Sequence, residues 1–191
     1  MALLDANISK PRMGGPSFSL RHRFYRTSWS LTWALLGRWS PVPFHGWRRF
    51  LLTMFGADIH RTARVYPSAD IWYPRNLTMA EYSCLASGSV CYCMDKIELR
   101  PHALVSQGAY LCGGTHDVDA PSFQLISKPI VIGANAWVAA GAFVGPGVIV
   151  GDGSVLGARG VSVKNLAPYT IYAGNPARPI RRRKFDGAVR D

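Results

Sequence analysis

The stretch IGANAWVAAGAFVGPGVIVGDGSVLGARG, residues 132–160, repeats itself every six residues. Ile132, Val138, Val144, Val150 and Leu156 are aliphatic and evenly spaced. Four positions after each stands a small or β-branched residue: Ala136, Ala142, Val148, Ser154 and Gly160. Period six fits neither an α-helix nor simple strand alternation. It fits short strands joined by tight corners, three to a coil, with the aliphatic inward. Each such unit buries its face only by stacking on its neighbours. Gly133, Gly145, Gly151 and Gly157 follow four of the five aliphatics. They are expected at the corners, where glycine tolerates positive φ. The fold class that follows is all-β, a parallel β-helix of hexapeptide repeats.

Outward from this stretch the repeat weakens. Ile59, Val65, Ile71 and Leu77 keep the spacing, but Arg75 and Glu81 break the small-residue rule. Leu99, Val105 and Leu111 resume it, with Ala103, Ala109 and Thr115 in the small positions and Ile126 in phase with Ile132. Asp117–Leu125 is then an insertion of nine residues. In a solenoid such an insertion becomes an external loop, often a functional one. After Leu156 the pattern stops, and Pro168, Pro176 and Pro179 mark an extended stretch. The expected organisation is a tail and helical cap over 1–58, a β-helix over 59–167 carrying loop 117–125, and a C-terminal segment with a basic tail over 168–191.

Residues 1–16 read as a flexible tail. Trp29, Thr32, Trp33 and Leu36 then lie at helical spacing, as do Trp47, Phe50, Leu51 and Met54, with Arg48 and Arg49 on another face. Two roles are open for these helices: capping the end of the β-helix, or lying at a membrane surface as interfacial helices. Neither run is long enough to span a bilayer.

The net charge of +11 sits on the flanks. Residues 59–177 hold eight basic and seven acidic residues, whereas 1–58 hold eight and two, and 178–191 hold six and two. Such flanks suit phosphate groups or anionic lipid, or are simply solvated. No recognition motif accompanies them, so nucleic acid is not an expected partner. Cys84, Cys91, Cys93 and Cys112 form no C-x-x-C pair, and Pro11, Gly14 and Gly15 interrupt any secretory leader. Reduced thiols in a cytoplasmic protein, associated at most with the inner membrane face, are expected.

His116 stands immediately before the insertion, within Gly113-Gly114-Thr115-His116-Asp117. A histidine beside a protruding loop is placed to meet a ligand and to act as a general base. Spacing alone serves a solvated corner histidine equally well.

The chain resembles the hexapeptide-repeat acyltransferases. The matching pieces are Ser106-Gln107, Tyr110-Leu111-Cys112, Thr115-His116-Asp117, Ala136-Trp137-Val138 and Ala173-Gly174-Asn175-Pro176-Ala177. Trp47-Arg48 and Phe55-Gly56-Ala57 are similar to the colanic acid biosynthesis acetyltransferases within them. The resemblance implies a left-handed β-helix, a homotrimer with active sites between subunits, acetyl-CoA as donor, and a sugar or glycan hydroxyl as acceptor. It implies His116 as catalytic base and the backbone N–H of Ala140 as oxyanion donor. Trp137 would wall the site near the thioester, although ordinary packing explains it as well. Ala140, Ala158, Val163, Lys164, Arg178 and Arg181 complete the implied coenzyme site, the three cations facing phosphates. Asp117 would orient His116 or touch the acceptor. No metal is implied.

The chain departs from the simple sugar acetyltransferases where their acceptor-binding Asn falls on Ala86 and a following acidic residue falls near Met94. Maltose or galactoside is therefore not the expected acceptor; a sugar unit of an exopolysaccharide fits better. Rival readings are an antibiotic or serine O-acetyltransferase on the same fold, a γ-type zinc carbonic anhydrase, and a non-catalytic β-helix scaffold. The zinc enzyme needs three histidines, and only His102 and His116 lie in the central repeats.

Overall fold

The computed structural model describes residues 3–184. The last residues of the expected basic tail, Arg190 among them, lie outside this range. The fold is the left-handed hexapeptide-repeat β-helix, built on three faces of short parallel strands. One face carries Asp58–Ile59, Leu77–Met79, Ile97–Leu99, Ile130–Ile132 and Ile149–Val150. The second carries Arg64–Val65, Cys84–Leu85, Leu104–Val105, Trp137–Val138, Val155–Leu156 and Thr170–Ala173, and Arg178–Arg182 adds an antiparallel edge. The third carries Asp70–Ile71, Val90–Tyr92, Tyr110–Cys112, Phe143–Val144 and Val161–Ser162. The aliphatics Ile132, Val138, Val144, Val150 and Leu156 are fully buried along the axis, with Ala136, Ala142, Val148 and Ser154 filling the gaps between them.

The period is not uniform. Ile132 pairs with Val150 and Val138 with Leu156, eighteen residues on. In the first coils Ile59 pairs with Met79 and Val65 with Leu85, twenty residues on. A 3-10 turn over Pro74–Asn76 takes up the difference, so Met79, not Leu77, stacks over Ile59. The pattern also runs past Leu156, since Ser162 stacks on Val144 and Tyr172 on Leu156.

The corner glycines serve a purpose other than the expected one. Gly133 and Gly151 do not have positive φ. A Cβ on Gly133 would lie 2.6 Å from the Asp152 nitrogen, and one on Gly151 2.6 Å from the Leu166 carbonyl oxygen. These glycines let one coil approach the next. Positive φ falls instead three residues after each inward aliphatic, at Asn135, Gly141, Gly147, Gly153 and Arg159.

Two helices cap the open end of the core. Helix α1 spans Leu20–Thr32 and runs into a π-helical turn over Trp33–Gly37; helix α2 spans His45–Met54. Trp29 and Trp33 are buried, and their Nε1 atoms donate to the carbonyls of Ile71 (2.6 Å) and Ala69 (2.9 Å). The π turn changes the helical phase, so Leu36, expected on the same face, is exposed. In α2 the buried face is Arg48, Leu51 and Leu52, while Trp47, Phe50 and Met54 face outward. Arg48 wins its interior place by satisfying carbonyls. Its guanidinium donates to Val65 at 2.6 Å, Pro41 at 2.9 Å and Val42 at 2.5 Å.

The chain before α1 is folded, not a free tail. Ala6–Ser9 form one helical turn capped by Asp5, followed by a 3-10 turn over Pro11–Met13. Both lie against the external loop of the β-helix.

Candidate active site

The chain leaves the solenoid after Cys112 and returns at Ile130. Between them Gly114–His116 pairs antiparallel with Leu125–Ser127. The excursion is longer than the nine-residue insertion expected. Thr115 and Ile126, expected in coil positions, face each other across this hairpin instead. Its base crosses tightly over the preceding coil: a Cβ on Gly113 would lie 2.9 Å from the Tyr92 carbonyl oxygen.

His116 is exposed and ends the first strand of the hairpin. Its Nδ1 lies 2.9 Å from the carbonyl oxygen of Phe123. A carbonyl only accepts, so Nδ1 carries a proton, and the neutral tautomer this selects has its lone pair on Nε2. The Phe123 ring stacks on the imidazole with centroids 4.3 Å apart and planes 13° apart. Phe123 reaches this position with φ of 51°, a conformation uncommon for a bulky residue and one that occurs most often at constrained sites. A neutral imidazole fixed in one tautomer, with its free nitrogen exposed, can take a proton from a hydroxyl.

The loop around it is held from three sides. Asp117 accepts from the backbone N–H groups of Asp119 and Ala120, both at 3.2 Å. Its carboxylate therefore shapes the loop, while orientation of His116 comes from Phe123. Gln124 accepts from the Ala6 N–H at 2.7 Å and donates to the Leu4 carbonyl at 3.2 Å. The Arg12 guanidinium lies 5.6 Å from the Phe123 ring centre, over the ring, and donates to the Pro121 carbonyl. At the base, Ser127 donates to the Asp95 carboxylate at 3.2 Å. Phe123, Gln124, Arg12 and Asp95 were not legible as site residues. Arg12 and Gln124 are more than a hundred residues apart in sequence, and nothing in their local pattern signals contact.

The remaining candidates fall into two groups away from the hairpin. Trp137 is half-exposed on the second face and donates from Nε1 to the Ser106 hydroxyl at 2.8 Å. It shares a cleft of about 690 Å³ with Arg181 and Lys184. Arg183, at the same cleft, is tied to the carbonyls of Asn135 and Gly153, which anchors the edge strand. Ala140 and Ala158 occupy successive rungs of one corner, both exposed. The Ala140 carbonyl accepts from Arg159, while its N–H has no partner among the described residues. Val163, Lys164 and Arg178 line a second cleft, of about 440 Å³, with Pro176 and Tyr172. A single chain thus brings Trp137 together with Arg181 and Lys164 together with Arg178, and sets His116 on a separate projection.

Ala86 and Met94 are both buried, so neither side chain can bind an acceptor. Burial pushes the Cys84 and Cys112 thiols up; Cys91 is raised further, by its hydrogen bond with Cys93 first and burial second. All four cysteines are free thiols. Among the described residues no three His, Cys, Asp or Glu side chains converge as metal ligands.

Known proteins share this fold. Residues 129–161 match the bacterial transferase hexapeptide (six repeats) family. The chain is 40% identical over 155 residues to the "Putative colanic acid biosynthesis acetyltransferase WcaF" of Escherichia coli K12, covering 81% of this chain and 85% of that protein. A maltose O-acetyltransferase from Clostridium difficile 630 superposes with a TM-score of 0.77 at 21% identity, over 87% of this chain and 90% of that one. A hexapeptide-repeat acetyltransferase from Vibrio cholerae O1 biovar eltor, solved with acetyl coenzyme A, superposes with a TM-score of 0.76 at 20% identity, over 90% and 93% of the two chains. The structural likenesses bear on the fold; the sequence match reaches further, and by it the chain belongs to the hexapeptide-repeat acetyltransferases.

Proposed function

We propose that this protein transfers an acetyl group from acetyl-CoA to a hydroxyl of a sugar unit, in the assembly of an exopolysaccharide or other cell-surface glycan. The observation that carries the reading is the His116–Phe123 pair, which engages Nδ1 and leaves Nε2 facing outward on a projecting hairpin. In the proposed reaction Nε2 takes the hydroxyl proton as the acceptor oxygen attacks the thioester carbonyl. The N–H of Ala140, without a partner among the described residues, stabilises the negative oxygen of the tetrahedral species. As the C–S bond breaks, the imidazolium returns its proton to the departing thiolate, and the ester and free CoA leave. Acetyl-CoA is a co-substrate in this scheme, and no metal is required.

Lys164, Arg178 and Arg181 supply fixed positive charge for the coenzyme phosphates. Ala158 and Val163 offer backbone groups to its pantetheine arm. The WcaF relative's name and the neighbour crystallised with acetyl coenzyme A support the glycan class and the donor. The separation of the hairpin from both clefts within one chain supports a homotrimer, in which each site takes His116 from one copy and walls from another. Asp117 and Trp137 are the proposed contacts to the acceptor.

Calorimetric titration of CoA and acetyl-CoA tests the donor assignment. One site per subunit is expected. Folded, trimeric protein that binds neither would overturn it and favour the scaffold reading.

A further inference from the structure

The capping helices use only one of their faces. On α1, Leu20, Phe24 and Leu31 fall within an arc of roughly 40° at 100° per residue, opposite the buried Trp29, and Leu35 follows in the π turn. All four are exposed, Phe24 at 74% and Leu35 at 68%. Helix α2 adds Trp47 and Phe50, both exposed and stacked on each other, and Trp47 donates from Nε1 to the Leu36 carbonyl at 2.9 Å, which ties α2 to the end of the π turn. Trp39, 84% exposed, stands between the two helices. So many large apolar side chains left exposed on two neighbouring helices signal a surface that binds something.

The charges beside it favour one occupant. Arg21 and Arg23 flank the stripe on either side, Arg38 sits at its end, and all three are exposed. No acidic residue occurs between Asp5 and Asp58. A second copy docking here would bring the same arginines against each other, which opposes pairing. An anionic bilayer supplies apolar depth for the aromatics and negative headgroups for the arginines. None of the described helices is long and apolar enough to cross a membrane, so the face would lie on the bilayer rather than enter it as a span.

We infer that the outer face of the two capping helices is a docking surface for anionic lipid bilayers. Capping and membrane contact are then the two sides of the same helices. The inference does not depend on the acetyl-transfer reading.

The test is co-sedimentation of the full chain with vesicles of phosphatidylcholine alone or mixed with phosphatidylglycerol. The wild-type protein should partition onto the mixed vesicles and be released by raised salt. Leu35→Ser with Trp39→Ser should weaken partitioning about tenfold or more. Arg21→Ser with Arg23→Ser should weaken it about tenfold at low salt. All these side chains are exposed, so thermal melting of the variants should match wild type and separate lost docking from lost folding. Wild-type protein that ignores both vesicles, or unchanged partitioning of the Leu35/Trp39 variant, would overturn the inference. So would lipid-free association beyond the native oligomer that the same variant abolishes, which would assign the face to a second copy.

Discussion

Phe123 holds His116 twice over: its carbonyl accepts the Nδ1 proton at 2.9 Å, and its ring lies against the imidazole at 4.3 Å. The carbonyl selects the tautomer and the ring limits rotation. Behind Phe123 stands Arg12, so the N-terminal segment, the loop and the histidine form one stack.

His116→Ala should lower kcat by about two to four orders of magnitude, the usual contribution of a general base, and leave CoA binding intact. Phe123→Ala keeps the carbonyl but removes the ring, so a smaller fall in kcat at constant acetyl-CoA KM is expected. Steady-state kinetics with parallel calorimetry separates these outcomes; equal loss of binding and turnover in His116→Ala would make the histidine structural.

Lys164 and Arg181 line different clefts of the single chain. If both reach the coenzyme's phosphates, each lost cation should raise the acetyl-CoA KM about tenfold, with kcat changed less. An unchanged KM in Lys164→Ala/Arg181→Ala rejects that assignment.

Gly133→Ala forces a Cβ against the backbone of the next coil, 2.6 Å from the Asp152 nitrogen. Neighbouring coils cannot separate without breaking ladder hydrogen bonds, so a loss of about 2 kcal/mol or more is expected. Gly141→Ala meets only a flexible Arg159 side chain but must adopt φ of 65°, costing about 1–2 kcal/mol. Denaturant unfolding of the two variants should therefore rank Gly133→Ala as the worse.

His22 is buried between Phe18 and Tyr73, and neither ring nitrogen has a hydrogen-bond partner among the described residues. Burial first, then the positive charge of Arg26, lowers its pKa from 6.5. The unfolded chain then binds the proton more readily, so stability is full above the ordinary value and falls as pH drops through it. His22→Phe should flatten part of the fall in Tm below pH 6.5. Identical slopes in variant and wild type would exclude His22 as the source.

The repeat of residues 132–160 determined the architecture by itself. A strict six-residue alternation of aliphatic and small residues can bury its face only by coiling on itself, and every inward residue read from it is buried. His116 was legible as a candidate because the insertion beside it broke that alternation. What holds His116 was not legible, since Phe123, Arg12 and Gln124 meet it or its loop through hydrogen bonds and ring stacking that carry no periodic signal. The capping helices show the same limit. Their apolar residues run around more of the helix than one core face can use, so composition left capping and membrane contact open. Tertiary packing decided which face turns inward: the carbonyls of Ile71, Ala69 and Val65 needed donors, and Trp29, Trp33 and Arg48 could supply them.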